Sequence, residues 1–142
     1  ITNDMTTILP LNYKPSSKEK FMNAKQREYF RQKLDKWRSE LLDEASETRQ
    51  NLQETSISEA DVADRASSET DRSLELRTRD RARKLISKIE EALERIEKGS
   101  YGYCIETDEP ISIKRLEARP IATLSLEAQE YHEKMEKIRR DD

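Results

Sequence analysis

The chain is poor in the residues that several common structural classes need. Its 142 residues include two glycines, one cysteine, one histidine and a single valine. An all-β domain needs β-branched residues in its strands and glycines in its turns, so a single valine and two glycines argue against this class. One cysteine allows no internal disulfide, and one histidine leaves no histidine-rich metal site. No stretch approaches the roughly 18 consecutive apolar residues of a membrane span, and the start of the chain lacks the apolar stretch of a signal peptide.

Charged residues, by contrast, are abundant and nearly balanced. They make up 40% of the chain against 33% hydrophobic residues, and 27 basic residues oppose 30 acidic ones for a net charge of −3. A balance this close to neutrality argues against a wholly disordered chain. The isoelectric point near 5.5 gives no reason to expect non-specific binding to nucleic acid or to anionic lipid. We expect exposed, charge-rich helices in the reducing cytoplasm, where a lone cysteine stays reduced.

A first long helix is predicted after Asn23. Asn23 is a suitable N-cap, and Gln26 stands at the spacing of a capping box. No glycine or proline interrupts residues 24–59, and apolar residues recur at steps of three and four, close to the period of a coiled coil. We expect Trp37 to be the largest buried side chain of this stripe, and residues 1–22 to form a mostly extended arm. The stripe comprises Phe30, Leu34, Trp37, Leu41, Ala45, Thr48 and Leu52.

A second helix is predicted to end at Lys98, because Gly99 can adopt the left-handed conformation of a helix C-cap. Residues 53–73, between the two stripes, are acidic and almost devoid of apolar side chains, and we interpret them as the reversal of the chain. Two helices joined in this way fold back as an antiparallel hairpin, here with an acidic tip and a basic side. The second stripe comprises Leu85, Ile86, Ile89, Ala92, Leu93 and Ile96.

Residues 99–142 predict a small module followed by a last helix. Ile111 and Ile113 alternate with polar residues, as in a short strand, so we expect an irregular module with a hairpin. Ser125 is a suitable N-cap for a helix that runs to about Arg140. An apolar cluster is expected to hold the module together, formed by Tyr101, Tyr103, Ile105, Ile111, Ile113, Leu116, Leu124 and Leu126.

Three blocks of sequence, in one order and at consistent spacing, resemble the DksA family of bacterial RNA polymerase regulators. They are DVADRA at 61–66, SLELRTRDRARKLISKIEEAL at 73–93, and YGYC at 101–104 followed by IKRLEARPIA at 113–122. The resemblance implies a mainly α-helical fold. In this fold a long antiparallel coiled-coil hairpin (23–98, tip near 55–66) stands on a small globular base (99–142), a degenerate zinc-ribbon-like module plus a C-terminal helix.

The resemblance also implies a function. Members of the family insert the hairpin into the secondary channel of RNA polymerase and alter the stability of open promoter complexes. They act with the alarmone guanosine tetraphosphate (ppGpp) in the stringent response, including repression of ribosomal RNA promoters, and they bind no specific DNA sequence. The expected partners are therefore RNA polymerase and ppGpp.

Tip and rim contacts follow from the same resemblance. Asp61, Asp64 and Ala66 match the tip that approaches the active centre of the polymerase, and Thr78 and Arg81 match positions that contact the rim of the channel. Without the resemblance, the tip acids would be interpreted as a solvated loop with capping carboxylates, and the two rim positions as an exposed helix face. No nucleophile accompanies the acids, so we assign no catalytic residue.

A ppGpp pocket at the polymerase interface is implied as well. Leu85, Lys88 and Arg119 match its positions, and lysine and arginine suit phosphate groups electrostatically. Gln129 replaces a further base of the family, which removes one charge from the pocket. Each base taken alone is also an ordinary surface residue.

The family's base usually binds zinc through two CxxC pairs, whose four thiolates complete a tetrahedral site. The corresponding positions here are Cys104 and Thr107, then Ser125 and Ala128, so one thiol of four is present. Because hydroxyls are poor zinc ligands and alanine offers none, we expect no zinc, as in the cysteine-poor, zinc-independent branch of the family. Cys104 is interpreted as a buried thiol, with redox sensing as the alternative.

Other functional classes stay open at this point. A coiled-coil adaptor or structural protein that self-associates would also carry a heptad stripe, although two stripes within one chain favour an internal hairpin and a monomer. A transcript-cleavage factor of the Gre type would use a similar hairpin with tip acids. An independent enzyme is not expected, because the sequence holds neither a phosphate-binding loop nor a cluster of metal ligands.

Overall fold

The structure, a computed structural model, describes residues 7–58 and 62–141, with the backbone alone at Thr48, 51–58 and 62–68. These residues form no strand, and a single isolated antiparallel bridge pairs Tyr103 with Pro110. None of the described helices is long and apolar enough to cross a membrane. The protein is mainly α-helical, as predicted. The helices are α1 (Ala24–Ser58), α2 (Val62–Lys98), α3 (Ile113–Ala118) and α4 (Leu126–Asp141).

The first helix begins at the capping motif that the sequence predicts. The Asn23 Oδ1 atom accepts a hydrogen bond from the Gln26 N–H at 2.9 Å. The Gln26 Oε1 atom in turn accepts one from the N–H of Met22 at 2.7 Å, one residue before the position of a standard capping box. Gln26 is fully buried, and its amide also donates to the Ser16 carbonyl, so the cap joins the arm to α1.

The acidic segment between the two apolar stripes is largely helical, which corrects the prediction of a long reversal over residues 53–73. α1 continues to Ser58 and α2 already begins at Val62. The physical reason is that the segment contains no glycine or proline, and its glutamate, glutamine, alanine and arginine residues have good helix propensity. Loss of apolar side chains removes a packing face but does not end a helix.

Two compact units divide the chain, and the second unit is Asp35–Glu90. It consists of segments of α1 and α2, which run antiparallel because only residues 59–61 separate Ser58 from Val62. An ion pair joins the two segments, with Arg38 Nη1 lying 3.7 Å from Glu90 Oε2. Trp37 is only half-buried, contrary to prediction, because a pair of helices can cover so large a side chain from one side only. The buried seam residues of this unit are Leu41, Ala82 and Ile89.

The first unit comprises the described residues up to Leu34 and those from Glu91 onward. Its largest fully buried side chains are Tyr101 and Phe30, whose ring centroids lie 5.7 Å apart. Two residues of the predicted apolar cluster, Ile105 and Leu126, are exposed instead. The remaining core of the unit is formed by Leu34, Ala92, Ile96, Cys104, Ile111, Leu116, Ile121, Ala122 and Ala128.

The segment after α2 contains a tight hairpin, but not where the alternation of isoleucines predicts it. Gly99 has a φ of +84° and ends α2 as predicted. The hairpin lies at residues 102–111, where the Cys104 N–H donates to the Glu109 carbonyl. Ile113 is the first residue of α3, because the Ser112 hydroxyl accepts a hydrogen bond from the Arg115 N–H and caps a helix there.

The described part of the arm, residues 7–22, is folded through turns and is not mostly extended. The Tyr13 N–H donates to the Pro10 carbonyl, and Asn12 adopts a φ of +64° in this turn. The Tyr13 hydroxyl donates to the Glu19 carboxylate at 2.7 Å, and its ring packs edge-on against Tyr29. These contacts bind the arm to α1 within the first unit.

Candidate functional site

One side of α2 carries four of the predicted contact residues, all within the second unit. Since successive residues of an α-helix are about 100° apart, these four lie within an arc of about 80°. The Thr78 hydroxyl donates to the carbonyl of Leu74, one turn earlier, at 3.0 Å. Leu85 is half-buried beside the seam, and the other three are exposed. The four residues are Thr78, Arg81, Leu85 and Lys88.

The tip residues are only partly within the described chain. Asp61 lies outside the described residues. Asp64 and Ala66 lie in the first two turns of α2, with the backbone alone described. A carboxylate in the first turn of a helix is stabilised by the positive end of the helix dipole. The position of Asp64 therefore favours helix initiation whatever its further role.

The first unit contains the other two residues of the predicted ppGpp pocket. Arg119 is the C-cap of α3, its N–H donates to the Arg115 carbonyl, and its side chain is exposed. Gln129 lies in the first turn of α4, where its Nε2 atom donates to Glu133 Oε1 at 3.2 Å. Because an amide carries no charge, Gln129 offers a phosphate group only hydrogen bonds.

The four positions that correspond to zinc ligands form a hydrogen-bonded cluster. Burial alone would raise the pKa of the Cys104 thiol. Hydrogen bonds from the Thr107 hydroxyl and from the backbone N–H groups of Ser125, Glu106 and Thr107 outweigh this effect and lower the pKa to about 6. The Ser125 hydroxyl accepts a hydrogen bond from the Ala128 N–H at 3.2 Å and caps α4, as predicted. The cluster therefore stabilises one sulfur through donors of the protein itself.

These residues do not fit a zinc ion. Zinc in a structural site takes four sulfur or nitrogen ligands, and this cluster offers one thiol. The hydroxyl of Ser125 is engaged as a helix cap, and the Ala128 side chain has no donor atom. Within the described ranges no group of three or more His, Cys, Asp or Glu side chains could hold a metal ion.

The remaining side chains singled out in the sequence serve the packing of the first unit. The buried Tyr101 hydroxyl donates to the Pro120 carbonyl at 2.7 Å, and Tyr103 packs edge-on against Phe21. His132 is exposed, and it contacts the carboxylate of Glu106. Each of these contacts lies between segments distant in sequence, so spacing along the chain carries no signal for them.

Sequence reasoning did not identify two further bases that share the predicted contact side of α2. Arg77 and Lys84 are both exposed and lie within about 60° of Arg81 around the helix axis. The signal was their spacing. Arg77, Arg81, Lys84 and Lys88 follow one another at four, three and four residues, which places them on one side of a helix and the other arginines of the segment elsewhere.

Two family descriptions match the chain. The description "DnaK suppressor protein DksA, N-terminal domain" matches residues 26–96. The description "Prokaryotic dksA/traR C4-type zinc finger" matches residues 99–134.

Individual proteins extend these matches over most of the chain. The chain is 63% identical over 131 residues to the RNA polymerase-binding transcription factor DksA of Caulobacter vibrioides, covering 92% of each chain. It is 42% identical over 130 residues to the protein of the same name from Escherichia coli strain K12, covering 92% of this chain and 85% of that one. The solved structure of transcription factor DksA2 from Pseudomonas aeruginosa aligns with a TM-score of 0.78 and 43% identity, covering 82% of this chain and 90% of that chain.

Proposed function

Because the chain belongs to the DksA family, we propose that it regulates transcription by binding RNA polymerase through the secondary channel and altering the stability of open promoter complexes. It acts with ppGpp in the stringent response, including repression of ribosomal RNA promoters. The observation that carries this proposal is the high identity to relatives named RNA polymerase-binding transcription factors over 92% of the chain. Those names describe regulators, which agrees with the expectation that the chain is not an enzyme.

The acids of the tip are the proposed effectors. Asp61 and Asp64, with Ala66, approach the active centre of the polymerase and add negative charge where metal ions and phosphates already interact. The bounds of the two helices support this role, because α1 continues to Ser58 and α2 already begins at Val62, so that Asp64 and Ala66 lie in the first two turns of α2. The tip acts on the polymerase and has no chemistry of its own.

The α2 side chains are the proposed contacts with the polymerase and with ppGpp. Thr78 and Arg81 contact the rim of the channel, while Leu85, Lys88 and Arg119 contact ppGpp at the polymerase interface. The exposure of Arg81, Lys88 and Arg119 supports this assignment, since each charged group is accessible to a partner. With Gln129 in place of a base, the pocket is expected to bind ppGpp more weakly than a pocket with a third cation.

The first unit is proposed to fold without zinc. Four hydrogen bonds to the Cys104 sulfur, together with the Ser125 cap, support this proposal because they replace the cross-link that a metal would supply. The protein is further proposed to be a cytoplasmic monomer that binds no specific DNA sequence. Among the alternatives, a self-associating adaptor and a Gre-type cleavage factor have no support from the names of the relatives.

Transcription from a ribosomal RNA promoter tests the proposed function directly. Purified RNA polymerase would be assayed with and without ppGpp, with the wild-type chain, with Asp64→Asn, and with Asp71→Asn as a matched control. Asp71 is an exposed acid two turns further along α2. We expect inhibition by wild type that deepens with ppGpp, persists in Asp71→Asn and fades in Asp64→Asn, while all three chains bind the polymerase.

Other results separate the parts of the proposal. Inhibition without any effect of ppGpp would contradict the ppGpp pocket but retain the channel mechanism. Unchanged inhibition by Asp64→Asn would contradict the role of the tip. A wild-type chain that neither inhibits nor binds would favour the adaptor.

A further inference from the structure

Beyond the contacts proposed above, α2 presents a row of four basic side chains on one side of the second unit. Arg77, Arg81, Lys84 and Lys88 are all exposed and lie within an arc of about 60°, over a helix length of about 16 Å. Elsewhere in the chain, basic side chains pair with acids of their own helix, as in Glu28–Arg31, Asp35–Arg38 and Glu94–Lys98.

Asp80 stands three residues after Arg77 and four before Lys84, about 40° from the edge of the row, so the helix compensates the row only in part. None of the described carboxylates comes within ion-pair distance of any of the four cations. Like charges three and four residues apart on a helix repel each other, at a cost of about 0.2–0.5 kcal/mol for each pair. An acidic partner surface would remove this repulsion, so the charge pattern favours an acidic partner.

An exposed leucine continues the row toward the beginning of α2. Leu74 is 53% exposed and lies about 20° from Arg81 around the helix axis. The only other exposed leucine of α2 within the described side chains is Leu76, which is 42% exposed and lies about 160° from Leu74 around the helix axis, on the other flank. Thr78, one turn after Leu74, has its hydroxyl bonded to the Leu74 carbonyl, so no unsatisfied polar group borders the leucine there.

We infer that Leu74 is the apolar anchor of the polymerase-binding face of α2, and that Arg77 and Lys84 belong to this face together with Arg81 and Lys88. The inference rests on the proposed function. It adds three residues and specifies which side of α2 faces the polymerase. The partner surface is then acidic along the row and offers an apolar depression at the Leu74 end. A nucleic acid would satisfy the cations, but its backbone offers no apolar partner to a leucine, so a protein surface fits better.

Paired variants on the two flanks of α2 test the inference. The full-length chain with Leu74→Gln would be compared with Leu76→Gln, and Arg77→Gln with Arg83→Gln, because Arg83 is an exposed base outside the row. Each chain would compete with a labelled wild-type chain for RNA polymerase holoenzyme at several salt concentrations. We expect Leu74→Gln to bind about tenfold more weakly, which corresponds to about 1.4 kcal/mol. For Arg77→Gln we expect weaker binding and a smaller salt dependence, and for both control variants binding within about twofold of wild type.

Several outcomes would overturn the inference. Equal binding of Leu74→Gln and wild type would overturn it while leaving the proposed function intact. Equal losses for Leu74→Gln and Leu76→Gln would overturn the assignment of a side. A wild-type chain that does not bind the polymerase would overturn both proposals. Binding to duplex DNA that Arg77→Gln weakens, with polymerase binding unchanged, would assign the row to nucleic acid. Circular dichroism and thermal melting control for folding, and glutamine is itself a good helix former.

Discussion

The hydroxyl of Ser125 accepts a hydrogen bond from the N–H of Ala128 at 3.2 Å, at the two positions that the sequence resemblance matches to the second pair of zinc ligands. The same serine donates its own N–H to the sulfur of Cys104. Ser125 therefore joins the start of α4 to the hairpin at residues 102–111.

Removal of this cap should destabilise the protein. We expect Ser125→Ala to lower the free energy of unfolding by about 1 kcal/mol, the usual cost of losing a serine N-cap. Urea denaturation followed by circular dichroism measures this. Ser100→Ala is a suitable control, since Ser100 is exposed and precedes no helix. Equal stabilities of the two variants would contradict the capping role.

A chelator should leave the folded protein unaffected. With one thiol among the four corresponding positions, metal binding contributes nothing to the folding free energy. We expect the same melting temperature in buffer with excess chelator, in buffer with added zinc and in metal-free buffer. A fall of several degrees in the chelator alone would show that zinc stabilises the chain after all.

The stability of the first unit should depend on pH through Cys104. The pKa of its thiol is about 6 in the folded chain, below its ordinary value of 9.0. Folding therefore favours the thiolate, and its contribution is complete above pH 9 and disappears as the pH falls through 6. Under reducing conditions, the stability difference between wild type and Cys104→Ser should grow as the pH rises from 6 to 8.5. A difference that is constant over this range would refute the lowered pKa.

The two glycines should respond differently to alanine. Both have positive φ values, +84° at Gly99 and +91° at Gly102, so each substitution carries the strain of a left-handed alanine, about 1–2 kcal/mol. A Cβ at Gly99 would meet nothing within 4 Å, whereas one at Gly102 would lie 3.1 Å from Met22 Cγ and 3.2 Å from Phe21 Cζ. We expect Gly102→Ala to lower the unfolding free energy by about 1 kcal/mol more than Gly99→Ala. Equal losses of unfolding free energy in the two variants would mean that the Met22 and Phe21 side chains move aside at no cost.

Local features of the sequence were sufficient to predict the helices and several of their ends. The caps at Asn23, Gly99 and Ser125 are as predicted because each depends on one side chain or one backbone conformation and its nearest neighbours. The stripes of α1 and α2 are predictable because apolar residues that recur every three and four positions fall on one face of an α-helix, and this face is then buried. In the described part of residues 53–73, where apolar side chains are few, intrinsic helix propensity predicts the observed structure better than hydrophobic periodicity does.

The site could be predicted only in part. The resemblance to the DksA family assigns the α2 positions and the four degenerate zinc-ligand positions, and Thr78, Arg81, Leu85 and Lys88 do share one side of the helix. The sequence could not reveal that Leu74 and Leu76 are both exposed, because exposure depends on which face of the helix the fold buries.

The sequence by itself determined the helical class, the stripes, the caps and the absence of a thiol set for zinc. Only the tertiary structure decided that Ile113 begins a helix, that Ile105 and Leu126 are exposed, and that four donors surround one sulfur. The physical reason is the range of the interactions involved. Periodicity and capping act over a few neighbouring residues, whereas the burial of an isoleucine and the pKa of a thiol depend on segments that only the fold brings together.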